Sequence, residues 1–286
     1  LAAAPAKAPE RPLALHKVED PQIPHLIETG GRVLSGAAPE GDASFAALAA
    51  RGVKTIVSVD GARPEVAGAA RHGMRYVHIP FGYDGIDPLA SAQIVAVMQA
   101  TSGPIYFHCH HGKHRGPAAA ALALRAETGC SGEVAAELMR LAETEPKYLG
   151  LWSSVNEPLP VLNARSMPEL HEVAPVGDLP AIMARLDREW DNVEILKRAA
   201  WSATAEHPDL DPVQQARIAA ETLESCSQAL SPELAVDADF LERLRAQQSD
   251  ARALQAALER HEGDAATAIF DRMKRGCVSC HDDYRN

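Results

Sequence analysis

The sequence predicts two units in series: a three-layer α/β fold around a mostly parallel sheet, followed by an all-α four-helix bundle. Three observations carry this expectation. At 286 residues the chain is too long for one typical hydrophobic core. Between residues 32 and 145, short β-branched apolar runs alternate with helical stretches, the pattern of strands buried on both faces and joined by helices. From Asp178 onward, apolar residues recur at spacings of three and four, giving one seam per helix.

The elements follow in order. Residues 1–20 are expected as a flexible leader: Leu1 is followed by AAAPAKAPERP, which reads as the start of a processed chain or of one trimmed there. Residues 21–155 make the first domain. In it RVLSG precedes a helix in DASFAALAARG, VKTIVSV precedes PEVAGAARHG, RYVHIPF precedes DPLASAQIVAVMQATSG, and PIYFHC precedes PAAAALALRAETG. Glycine closes several of these helices. In such sheets chemistry gathers beyond the carboxyl ends of the strands, and Cys109 stands at one of them. Residues 153–178 hold four prolines and little periodicity, so a linker is expected over 156–177. The bundle then occupies 178–286. Its helices start at Asp178, the expected N-cap with Pro180 in the first turn, at Asp211-Pro212, near Asp237 and near Asp264.

A net charge of −11 argues against general nucleic-acid binding, which wants a basic face. No run approaches the roughly 20 apolar residues of a membrane helix. Five cysteines are too few and too scattered for a disulfide framework. Cys130 and Cys226 fall on expected helices and read as small core residues, with Cys130 a candidate resolving partner for Cys109.

The chain closes on CVSCHDDYRN. Cys277-x-x-Cys280-His281 is the spacing for covalent haem c attachment, with two thiols for the vinyl groups and an imidazole for the iron. A redox pair or a zinc half-site would want a preceding strand or a second ligand pair, and neither is in the sequence. Residues 178–286 resemble the cytochrome c′/c556 family, four-helix bundles with this motif near the end of the last helix. The resemblance implies one haem c, with Arg285 beside the proximal imidazole or a propionate. It also implies a distal residue on the first helix: Met183 as sixth ligand, or Ile182 or Leu186 covering the iron. A redox partner protein, a homodimer and a periplasmic or otherwise exported location follow from the same likeness.

Residues 108–117 read HCHHGKHRGP, crowding four histidines, a lysine and an arginine around one cysteine. As side chains these suggest a metal site or a solvated basic loop. As backbone they suggest an anion nest, because a loop between a strand end and a helix N-terminus aims its N–H groups inward. Arg115 adds a planar fork for two oxyanion oxygens, and the same field favours a Cys109 thiolate.

The pattern resembles the Cys-x5-Arg signature of protein tyrosine and dual-specificity phosphatases, over about residues 20–150. The resemblance implies phosphate monoester hydrolysis through a phosphocysteine on Cys109. Arg115 and the loop amides would hold the phosphoryl oxygens, and His110, His111, Gly112, Lys113 and His114 would line the substrate. An upstream aspartate would be the general acid: Asp84 is favoured over Asp87, which suits a helix N-cap before Pro88. One departure stands out, since the family's serine or threonine after the arginine is Gly116 here. The alternatives are an anion- or partner-binding module without turnover, leaving the cytochrome as the working centre, and thiol redox or sulfur-transfer chemistry at Cys109.

Overall fold

The computed structural model describes residues 14–163, 165–208 and 210–285. The chain divides into two units, the first ending at Ala174 and the second beginning at Pro175.

The first unit is built on strands β1 (His16–Val18), β2 (Leu26–Glu28), β3 (Val33–Gly36), β4 (Thr55–Ser58), β5 (Arg75–His78) and β6 (Ile105–His108). Their order across the sheet is β1-β2-β3-β6-β4-β5. The four strands from β3 to β5 run parallel, while β1 and β2 add an antiparallel edge, so the sheet is mixed. Successive side chains on a strand face opposite ways. Val33, Val57, Val77, Ile105 and Phe107 pack under helices α3 (Pro88–Ala100), α4 (Arg115–Thr128), α5 (Gly132–Leu141) and α6 (Leu149–Ser154). Leu34, Ile56, Tyr76 and Tyr106 face α1 (Gly41–Ala50) and α2 (Val66–Arg71). Burial on both faces explains why these strands read as apolar runs without alternation. Each such side chain contributes about 1.5–3 kcal/mol.

The parallel strands bring four carboxyl ends to one edge, with β6 between β3 and β4, where the strand order reverses. That edge is where an open α/β sheet binds its ligands.

Two boundaries differ from expectation. Residues 1–13 of the expected leader lie outside the described residues. Residues 16–18 belong to the sheet, because Lys17 pairs with Ile27 across β1 and β2. The described residues of the expected linker, 156–177, have no regular secondary structure, yet most of them lie on the first unit. Leu159, Leu162 and Leu170 pack on that core. Gln93 Nε2 donates to the Glu169 carbonyl at 2.9 Å, His78 N–H to that of His171 at 2.8 Å, and Ala174 N–H to His78 Nδ1 at 3.2 Å.

The second unit is helical: α7 (Asp178–Arg198), α8 (Pro212–Ser225), α9 (Ala238–Glu259) and α10 (Gly263–Tyr284), each packed on the next. Asp211 and Asp237 cap their helices, accepting from Gln214 N–H at 2.8 Å and Phe240 N–H at 2.9 Å. Asp178 does not cap α7. Gly177 holds that position, and Asp178 lies in the first turn, where its charge suits the helix dipole. Val193, Ala216, Leu223, Leu254, Phe270 and Met273 form a buried core, on which Trp190 stacks against Phe270 at 4.6 Å. Among the described residues no helix is long and apolar enough to cross a membrane.

Candidate active site

At the end of β6 the backbone still belongs to the sheet, for Val59 N–H donates to the His108 carbonyl at 2.9 Å. The chain then leaves with Cys109 and re-enters regular structure at Arg115, the first residue of α4. The Cys-x5-Arg spacing therefore spans one loop from strand end to helix N-terminus, whose dipole and unpaired N–H groups favour an anion.

His108 supports this loop from inside. Its Nε2 pairs with the Tyr76 hydroxyl at 3.2 Å, its ring stacks on Tyr106 at 6.0 Å, and its Nδ1 lies 3.3 Å from the Cys109 carbonyl. The Tyr106 hydroxyl in turn donates to the Ala37 carbonyl at 2.6 Å. Gly112 has φ 71°, and a β-carbon on it would overlap the Gly36 carbonyl carbon and the Ala37 nitrogen. Only glycine satisfies both the conformation and the close approach. Cys109 is buried and forms no disulfide.

Arg115 Nη1 donates to the Phe81 carbonyl at 3.4 Å, and its guanidinium lies 4.6 Å from the centre of the Tyr83 ring. Burial works against its charge, yet Tyr83, Cys109 and Asp60 around it hold the guanidinium above its ordinary pKa. Arg115 Nε is buried with no hydrogen-bond partner among the described residues. An unmet buried donor is costly, and an oxyanion seated on the loop amides is the acceptor this fork suits.

Asp60, just beyond β4 on the same edge, is buried and accepts from Ala62 N–H at 2.6 Å. Sequence reading passed over it. An acidic residue directly after a buried parallel strand was the available signal.

The two aspartates of the preceding loop separate cleanly. Asp87 caps α3, its Oδ1 accepting from Leu89 N–H at 2.8 Å and Ala90 N–H at 2.9 Å. Asp84 is exposed, one residue from the Tyr83 that lies against Arg115. Its loop is fastened to α6: Ile86 N–H donates to Ser154 Oγ at 2.8 Å, and Ser154 Oγ to the Gly150 carbonyl at 2.8 Å. Gly150 approaches so closely that a β-carbon there would overlap the Asp84 carbonyl. Sequence reading found neither α6 nor this contact.

The remaining loop residues form the rim. His110 and His111 stack at 4.3 Å. His114 lies 4.9 Å from the Tyr148 ring, which in turn is 4.5 Å from Tyr83. Glu145 N–H donates to His114 Nδ1 at 3.4 Å, and the Thr144 hydroxyl donates to the Lys113 carbonyl at 2.6 Å. A β-carbon on Gly116 would lie 2.8 Å from the Cys109 nitrogen and 3.0 Å from the His108 carbonyl carbon. Helix α4 thus sits too close to the end of β6 for the serine or threonine of the resemblance.

Cys130 cannot resolve Cys109. It lies in the turn between α4 and α5, not on a helix. Cys109 precedes α4, and a helix of 14 residues spans about 21 Å. Cys226 is fully buried with Sγ 3.6 Å from the Thr222 carbonyl, and burial pushes its thiol up to about 11.

In the second unit, Cys277, Cys280 and His281 occupy the last turns of α10, where residues three and four apart share a face. Cys280 joins Leu179, Ile182, Met183 and Tyr284 around buried Cys226, Phe240 and Leu244. Arg285 follows one turn beyond His281, its N–H donating to the His281 carbonyl at 3.2 Å. Cys277 Sγ lies 3.5 Å from Gln247 Oε1, and burial, aided by Cys280, pushes its thiol up to about 11. The apolar stripe of α7 differs along its length. Val193 and Leu196 are buried, whereas Leu179, Ile182, Met183 and Leu186 are half-exposed. Two thiols, an imidazole and a half-exposed apolar face at one end of the helices fit a flat apolar macrocycle such as haem.

No family model matches the chain, and no curated protein matches it. Among solved structures the chain is similar to that of P. aeruginosa TpbA, at 25% identity and a TM-score of 0.41, covering 50% of this chain and 89% of that one. It is also similar to a putative phosphatase (DUF442) from Shewanella putrefaciens CN-32, at 22% identity and a TM-score of 0.38, covering 46% and 89%. For human DUSP28 the values are 19% and 0.37, covering 46% and 93%.

Proposed function

We propose that the first unit is a cysteine-dependent phosphatase and that the second carries haem c. The observation that carries the first part is Arg115: its guanidinium lies 4.6 Å from the centre of the Tyr83 ring, its buried Nε has no hydrogen-bond partner among the described residues, and it stands one loop away from a buried thiol. The reaction proceeds in two balanced steps. The Cys109 thiolate attacks phosphorus, forming the S–P bond as the P–O bond to the leaving group breaks, and Asp84 gives its proton to the departing oxygen. Asp84, now a carboxylate, takes a proton from water, whose oxygen attacks phosphorus and releases phosphate and the thiolate. Loop amides and Arg115 hold the equatorial oxygens throughout. Phosphate release from aryl phosphates tests this. Cys109→Ser abolishes release, and Asp84→Ala lowers it about 10²-fold or more. Equal release from wild type and Cys109→Ser sinks the enzyme reading.

Gly116 favours a second reading. Without a hydroxyl there to help the thiolate leave, the phosphocysteine persists and the unit acts as an anion-binding module with slow turnover.

Haem c, when bound, supplies a one-electron centre or an iron open to a small gas. Cys277 and Cys280 would anchor it, His281 would ligate the iron, and Met183 would be a further ligand or would leave Ile182 or Leu186 to cover the iron. Arg285 carries the charge for a propionate. Such attachment sets an exported compartment and a redox partner protein as the natural context. Absorbance of covalently held haem in the full chain, lost in Cys277→Ser/Cys280→Ser, tests this part separately.

A further inference from the structure

Of five non-glycine residues with left-handed backbone among the described residues, two converge on a single side chain of the loop: His25 (φ 56°) and Glu143 (φ 63°) flank Lys113. Conformations of this kind persist where the surroundings enforce them, and they gather at binding sites. Both are enforced here. Ala37 N–H donates to the Pro24 carbonyl at 2.9 Å and Ala38 N–H to that of His110 at 2.8 Å, so the end of β3 ties the His25 turn to the Cys109 loop. From the other side, Thr144 grips the Lys113 carbonyl at 2.6 Å.

The side chains gathered there are mostly basic. Lys17 Nζ donates to Glu143 Oε1 at 2.8 Å, and Lys113 Nζ lies 3.9 Å from Glu143 Oε2. Burial holds His25 below its ordinary pKa, and Lys113, Lys17 and His111 push it the same way while Glu143 opposes them. Two lysines therefore share one carboxylate, Glu143, which leaves positive charge unbalanced beside the phosphate loop.

Resting on the phosphatase reading, we infer that Lys17, His25, His111 and Lys113 form a second anion subsite, and that the substrate carries a second phosphate close to the scissile one. The site already holds one carboxylate and still keeps a surplus lysine. A dianionic phosphate meets both lysines and displaces Glu143 from Lys113. Glu143 is then a resident counter-ion that competes with the substrate, so removing its charge strengthens binding.

Binding, not turnover, tests this. The full chain carrying Cys109→Ser is titrated calorimetrically with inorganic phosphate and with methylenebisphosphonate, a linked pair of phosphonates. The bisphosphonate binds about tenfold tighter than phosphate. Lys17→Met and His25→Asn each shrink that preference, asparagine being chosen because it tolerates left-handed backbone, and Glu143→Gln enlarges it. Inhibition of wild-type turnover by the same two anions reads the preference without the serine variant. Phosphate binding with no preference for the bisphosphonate, or a preference weakened by Glu143→Gln, overturns the second subsite and leaves the cradle standing. Failure of both anions to bind overturns the cradle and the subsite together.

Discussion

Gly116 and Asp87 are where single atoms decide between readings. A serine at 116 restores the hydroxyl of the family pattern on paper, but its β-carbon would sit 2.8 Å from the Cys109 nitrogen. Backbone cannot yield as a side chain tip can, so Gly116→Ser pushes α4 away from β6. The expected cost is about 1–3 kcal/mol of stability, with slower rather than faster phosphate release. A thermal melt and a steady-state assay on one preparation check it, and accelerated turnover contradicts it. Asp87→Ala removes a cap that accepts two N–H groups and costs about 1 kcal/mol. It leaves the dependence of rate on leaving-group basicity unchanged, whereas Asp84→Ala steepens that dependence.

Helix α6 and the Asp84 loop act as a pair of elements. The loop is seated by Ile86 on Ser154 and by the bare face of Gly150. Gly150→Ala therefore displaces Asp84, the proposed acid, without touching Cys109. Its expected signature lies in the first step: pre-steady-state release of an alkyl leaving group falls by about 10-fold or more, while release of nitrophenolate, which needs no proton, changes little. A uniform loss across both substrates marks a merely structural role. This pair also shows what the sequence could not reveal. Strand–helix alternation from β3 to α4 was legible because each element buries a recognisable face, and Cys109 and Arg115 were legible because their spacing is local. Strands β1 and β2 have three residues each, too short for any period. The α6 contact joins segments distant in sequence through a missing β-carbon, which no pattern of side chains announces. Asp178 reads as a cap in sequence because Gly177, which holds that position, has no side chain to signal the boundary.

At the scale of the whole molecule, two properties follow from the units taken singly. His78 in the first unit is buried, sharing its ring with the Asp60 carbonyl at 2.8 Å and the Ala174 N–H at 3.2 Å. Burial lowers its pKa, and the Asp60 carbonyl and charge only partly offset this. The unfolded chain binds a proton near the ordinary histidine value of about 6.5 while the folded unit resists it. Stability is therefore complete above that pH and lost as pH falls below it toward the folded value. Urea midpoints at about pH 7.5 and about pH 5.5 should diverge in wild type and converge in His78→Gln. In the second unit, the haem c proposed above would cover half-exposed α7 residues beside Cys280, so haem loading is expected to stabilise the helices. Cys277→Ser/Cys280→Ser then melts earlier than wild type and no longer retains haem under denaturing conditions.

The central claim is that phosphate passes through sulfur on Cys109. The direct measurement is mass spectrometry of the acid-quenched full chain after brief exposure to nitrophenyl phosphate, with the modified peptide sequenced. The account predicts one phosphoryl group on the peptide containing Cys109, more in Asp84→Ala than in wild type because the acid also serves the second step, and none in Cys109→Ser. Phosphate release with no phosphoryl group on that peptide in any variant contradicts it.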